Sequence, residues 1–167
     1  MEASRLSKNS SRRKRQVHKY NPKWTNNHVY YYFDPNTDAK VPNVVRKALK
    51  YISARTCIDF TENATARNRV RVFSGSGCYS KLGMLGNEQD LSLMGSCASV
   101  GLAAHEFMHA LGVLHMHSRE DRDNFLKVDV SSVDQGLVPQ FEKIEPGLSI
   151  NYTPFEYGSV MHYAANL

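Results

Sequence analysis

Hydrophobic and polar positions along this chain follow two different periods, and the changes of period mark its elements. His28 to Phe33 (HVYYYF) is dense in aromatic and β-branched residues and stops at Asp34-Pro35-Asn36, which predicts a strand closed by a turn. From Pro42 the spacing becomes helical. Val44, Val45, Ala48, Leu49 and Ile52 share one face opposite Arg46, Lys47 and Lys50, so this helix should lay an apolar face on a sheet. Ile58–Phe60 and Val70–Phe73 predict two more strands, the second with Val70 and Val72 inward against Arg69 and Arg71 outward. After a Gly- and Ser-rich stretch, 74–86, Leu91-Ser92-Leu93 is a short strand candidate. From about Ser99, the positions Val100, Leu102, Ala103, Ala104, Phe107, Met108 and Leu111 predict a helix that is apolar nearly all round and therefore buried. It nonetheless carries His105, Glu106 and His109. Beyond Asp123, Pro139, Pro146, Gly147 and Pro154 interrupt any long element. Residues 1–23 show little apolar periodicity and read as disordered or processed, with the fold beginning near Trp24.

Length and charge narrow the class. The 167 residues fit one domain with its own core, and no apolar run approaches the ~18 residues of a membrane span. The formal charge of +5 resides wholly in residues 1–15, which hold six basic side chains and one acidic, so residues 16–167 are neutral. A neutral body does not hold phosphates over its whole surface, which argues against a nucleic-acid partner. The first residues contain no apolar stretch for a signal peptide, so if the protein is secreted its signal lies outside this chain. Cys57, Cys78 and Cys97 are an odd number without CxxC spacing, so neither a zinc ribbon nor a thioredoxin-type site is indicated. They read as one pair plus an orphan, the alternative being three reduced thiols in a cytosolic protein.

The buried helix carries the chemistry. His105 and His109 lie four apart, on one helical face, and can put two imidazole nitrogens on one ion. A catalytic zinc site needs a third protein ligand and an open position, and His115 is the candidate. It reaches the ion only if the helix ends between them, and Gly112 is where a left-handed turn is free of strain. Glu106 is the one carboxylate inside the motif, placed to take a proton from water and deliver it to a leaving amine. A bare HExxH arises by chance on ordinary helices. The whole string HEFMHALGVLH, on a helix where these side chains would otherwise be costly to bury, does not read that way.

The sequence resembles the astacin family of zinc endopeptidases, with a texture similar to the nematode branch. The family pattern HExxHxxGxxHxxxRxDRD is met by His105, Glu106, His109, Gly112, His115, Arg119, Asp121, Arg122 and Asp123, and Ser159-Val160-Met161-His162-Tyr163 is similar to its Met-turn. The resemblance implies an α+β, metzincin-like fold: a mixed twisted sheet over an active-site helix, with one catalytic Zn2+ on His105, His109 and His115. It further implies Glu106 as general base, Met161 as an apolar floor under the metal, and Tyr163 as a hydroxyl donor to the developing oxyanion. Thr56 to Phe60 and the segment from Gly77 to Leu93 look like the family's first cysteine strand and its substrate-docking edge. The resemblance also implies a Cys78–Cys97 disulfide, and leaves Cys57 without its usual partner. The chain stops four residues after Tyr163, where the family domain continues, so the expectation is either a fragment or a domain whose lower half is abbreviated.

Arg12-Arg13-Lys14-Arg15 before Gln16 resembles a convertase site, which makes residues 1–15 the basic end of a propeptide and 16–167 the peptidase domain. The rival reading is a nuclear localisation signal on a basic-tailed nuclear protein. Sequons at Asn63-Ala64-Thr65 and Asn151-Tyr152-Thr153, the second weakened by Pro154, favour secretion. Met116 stands where the family has a Glu that holds the freed N-terminus, residues 1–15 contain no Asp to occupy the zinc, and His117 reads as solvated. The expectation is a secreted, zymogen-derived zinc metalloendopeptidase acting on protein or peptide substrates after cutting by a proprotein convertase. The alternative is a catalytically impaired extracellular zinc-containing binding module.

Overall fold

The computed structural model describes residues 17–163. Arg15 and Gln16, the expected cut site, lie outside the described residues. The elements are β1 (Val17–His18), β2 (His28–Phe33), α1 (Val41–Ser53), β3 (Asp59–Glu62), β4 (Arg69–Phe73), β5 (Cys78–Ser80), β6 (Glu88–Leu93), α2 (Val100–Ala110) and β7 (Ser149–Ile150), joined late in the chain by short 3-10 turns. Five strands form one sheet in the order β3-β2-β4-β6-β5, and β1 pairs with β7 in a separate two-stranded ribbon. β2, β3, β4 and β6 run parallel, whereas β5 is antiparallel to β6 at the edge. The mixed sheet with two helices is the α+β arrangement expected.

One face of the sheet is apolar and both helices cover it. Val29 and Tyr31 of β2, Val70 and Val72 of β4, and Leu91 and Leu93 of β6 pack on Val45, Ala48, Leu49 and Ile52 of α1 and on Ala103, Phe107 and Ala110 of α2. Phe107 is completely buried and meets the rings of Tyr31 and Phe60 edge to face, at 6.0 and 5.8 Å between centroids. Trp24 ties the segment before β2 to α2 by donating its indole N–H to Ala110 O at 2.8 Å. The opposite face carries the outward residues of the same strands as ion pairs, Arg69 with Glu88 at 2.5 Å and Arg71 with Asp90 at 2.8 Å. The period-two alternation read in β4 therefore separates a core face from a charged face.

Three expectations are corrected. β6 begins at Glu88, earlier than Leu91, because the buried Gln89 is satisfied: its amide donates to Gly83 O and its oxygen accepts from Leu85 N, both at 2.9 Å. Residues 17–23 are folded in. His18 N donates to Gly112 O at 3.1 Å, Lys19 N to Leu148 O at 2.9 Å, and the Asn21 amide to Leu82 O at 2.9 Å. Backbone pairing with distant segments needs no apolar period and leaves no pattern in the sequence. Finally, α2 is not apolar-buried all round, for Val100 is 41% and Leu102 38% exposed on its first turn.

Among the described residues, no helix is long and apolar enough to cross a membrane.

Candidate metal centre and active site

Ser99 caps α2 by accepting from Leu102 N at 3.1 Å, which starts the helix in the register that turns His105, Glu106 and His109 inward. The helix closes with a Schellman turn. Gly112, at φ +88°, donates to His109 O at 2.7 Å, and Val113 donates to Met108 O at 2.9 Å while packing on its side chain. The chain reverses there and carries His115 back to the helix. A Cβ at residue 112 would meet nothing closer than Gly83 Cα at 3.9 Å. Gly112→Ala should therefore lose only the backbone preference, about 1–2 kcal/mol, read as a lower urea midpoint with an unchanged slope. A loss below about 0.5 kcal/mol would mean that the turn tolerates another conformation.

His115 Nε2 lies 3.1 Å from His105 Nε2 and 3.0 Å from His109 Nε2. The second nitrogens fix the tautomers. His105 Nδ1 donates to Val160 O at 2.7 Å and His109 Nδ1 to Val113 O at 2.8 Å, so both Nε2 atoms present lone pairs. A proton on His115 Nε2 could bridge only one of the two contacts, so at least one pair of lone pairs faces each other with no proton between them, an arrangement suited to a cation. Four-coordinate zinc with bonds of 2.0–2.1 Å places its ligands about 3.3 Å apart, close to these separations. His105, His109 and His115 also form the one group of three potential metal donors among the described residues. Burial, reinforced by neighbouring imidazoles, depresses the histidines, His109 to about 4 and His115 to about 2. They are neutral at physiological pH, as metal ligation demands. The residues fit a zinc ion.

Glu106 is 4% exposed, and its Oε2 has no hydrogen-bond partner among the described residues. Burial raises its carboxyl to about 7. It faces a cleft of about 580 Å3 together with His105, Gln140, Phe141 and Tyr163. Tyr163 donates its hydroxyl to Gln140 Oε1 at 2.9 Å and lays its ring 4.6 Å from that of His115. Met161, 2% exposed, packs with Met108 and Val113, and its carbonyl accepts from Met116 N at 2.8 Å.

His117 is corrected from solvated to buried. At 3% exposure it stacks on His115 and packs against Tyr163, with centroids 4.8 and 4.2 Å away, and donates Nε2–H to Gln140 O at 3.3 Å. The 3-10 turn Met116–Ser118 rotates it inward, which a sequence read without that turn cannot anticipate. Arg119 is a strut for the same region. It is 2% exposed, holds Asp121 through two bonds at 2.8 and 2.7 Å, and donates to Thr153 O at 2.8 Å. Arg122 reaches the carbonyls of His117 and Phe141. The polar half of the motif thus fastens the turn after His115 to the segments that follow.

The sequence reading missed Val160, Val113 and Gln140. The first two act through backbone carbonyls, which any residue supplies; a glutamine among loop residues carries no signal. Cys78 and Cys97 form a disulfide that anchors β5 beside the cleft to the approach to α2, while Cys57 is free and exposed.

Residues 16–167 match the peptidase family Astacin. The chain is 43% identical over 162 residues to zinc metalloproteinase nas-32 of Caenorhabditis elegans, covering 97% of this chain and 25% of that protein. It is 40% identical to zinc metalloproteinase nas-17 of the same organism, covering 96% and 38%. The chain thus spans well under half the length of these relatives. Among solved structures it is similar to high choriolytic enzyme 1, a hatching enzyme zinc-protease from the medaka fish Oryzias latipes, with TM-score 0.76 and 30% identity over 86% of this chain and 72% of that one. Myroilysin shares the fold, at TM-score 0.61 and 21% identity over 89% and 82%. With its three-histidine donor set, its Gly112 reversal and the match over nearly its whole described length, the chain belongs to the astacin family of zinc peptidases.

Proposed function

We propose that this chain is the catalytic part of a secreted zinc metalloendopeptidase that hydrolyses peptide bonds in proteins. The observation that carries the reading is the convergence of three imidazole Nε2 atoms beside a buried carboxylate in an open cleft. His105, His109 and His115 would hold one zinc ion. Zinc supplies Lewis acidity, polarising a carbonyl and making water nucleophilic at neutral pH.

The remaining steps belong to the chain. β5 ends the sheet, so its outer edge offers unpaired backbone groups to an extended peptide laid antiparallel along it. Glu106 accepts a proton from the attacking water and passes it to the departing amine; a carboxyl raised to about 7 suits a group that must do both. Tyr163 exchanges its bond to Gln140 for one to the substrate carbonyl oxygen as negative charge builds there. Met161 and its apolar neighbours support the histidines from beneath.

The Cys78–Cys97 disulfide favours an oxidising compartment, and the run Arg12 to Arg15 favours activation by a proprotein convertase that cuts before Gln16. The alternative, a zinc-holding binding module without catalysis, rests on Met116, the unpaired Cys57 and the C-terminal segment that the family has and this sequence does not show. Met116 is buried against Arg119, and Glu106 lines the cleft with its buried Oε2 unpaired among the described residues, which favours the enzyme. Purified chain beginning at Gln16 should cleave casein, lose that activity on chelation and regain it with zinc. A folded, zinc-loaded sample without chelator-sensitive cleavage would favour the module.

A further inference from the structure

Two sequons lie in very different surroundings. Asn63 sits just beyond β3, the strand that ends the sheet on the side opposite β5. Its Oδ1 accepts from Thr65 N at 2.8 Å, from Thr65 Oγ1 at 2.9 Å and from Ala66 N at 3.0 Å, and its backbone N–H is held by Tyr31 O at 2.7 Å. The amide nitrogen Nδ2 takes no part in these bonds. Ala64 and Thr65 are exposed. Backbone and side-chain oxygen are thus committed while the one atom that glycosylation uses is left free. Asn151 is the reverse. Its Oδ1 is buried without a partner among the described residues, it adjoins β7 in the ribbon with β1, and Thr153 O is held by the buried Arg119. Pro154 follows and fixes the backbone there.

We propose that Asn63 carries an N-linked glycan and that Asn151 does not. The inference rests on the secretory reading but not on peptidase activity. In the transfer, Asn63 Nδ2 forms a bond to C1 of the first sugar and loses one proton to the transferase. The C1–O bond of a lipid-pyrophosphate oligosaccharide donor breaks, and the pyrophosphate leaves with the electron pair. Three strands lie between β3 and β5, which puts the glycan about 19 Å across the sheet from the edge beside the cleft, so it leaves substrate access open. It also covers an unpaired strand edge next to the exposed Cys57.

The test expresses the chain behind a supplied signal peptide in a eukaryotic secretory host and treats the product with peptide-N-glycosidase in heavy-oxygen water. A single glycosidase-sensitive shift is expected, with the label on residue 63. It should be lost completely in Asn63→Gln and Thr65→Ala and retained in Asn151→Gln. Secreted, unglycosylated protein, or a label on residue 151, would overturn the proposal. Failure of the secretory reading itself would show differently, as reduced Cys78 and Cys97 thiols in protein isolated from its natural source.

Discussion

Glu106→Ala should leave zinc content unchanged and lower kcat/KM on a peptide substrate by about a hundredfold to ten-thousandfold, the range for loss of a general acid-base group. That corresponds to roughly 3–5 kcal/mol of transition-state stabilisation. Zinc is retained because neither imidazole tautomer depends on Glu106: His105 is held by Val160 O and His109 by Val113 O. Activity falls because Glu106 is the carboxylate that α2 places next to His105; Asp134, the other carboxylate lining the cleft, belongs to a later loop. Removing a buried carboxylate that lacks a partner for Oε2 should also leave stability unchanged or slightly higher. Zinc loss would make Glu106 a ligand rather than a base, and intact activity would remove it from the proton transfer.

Arg119→Ala is expected to have the largest effect on stability. The guanidinium is buried, grips both oxygens of Asp121, and holds Thr153 O from the segment leading to the Met-turn. Its loss leaves a carbonyl and a partly exposed carboxylate without their donor, at a cost of about 3 kcal/mol. Because Val160 O in that later segment fixes His105, zinc affinity should fall as well. Arg119→Lys should not restore it, since an ammonium cannot span two carboxylate oxygens and a carbonyl together. Urea unfolding and zinc competition read the two effects separately. A stability change below about 1 kcal/mol would remove Arg119 from its bracing role.

The elements that build the apolar layer were legible because burial imposes a period. Val70 and Val72 alternate, and Val45, Ala48, Leu49 and Ile52 recur every three or four residues. The three histidines and Gly112 were legible for a related reason: helical spacing and a left-handed turn restrict which residue types fit. The supports were not. Val160 and Val113 hold the imidazoles with carbonyls, and the pairing of Val17–His18 with Ser149–Ile150 joins segments distant in sequence through backbone alone. The burial of His117 leaves no trace in the sequence because it comes from a single 3-10 turn and the rings that gather on it, not from a repeated pattern.

The central claim is that His105, His109 and His115 hold one zinc ion through Nε2. X-ray absorption at the zinc edge of the purified, metal-loaded chain measures it directly. The account predicts one zinc per chain with three imidazole nitrogens at about 2.0–2.1 Å and the rest of the shell oxygen. A sulfur ligand at about 2.3 Å, which would bring in Cys57, or fewer than three imidazoles, would contradict it.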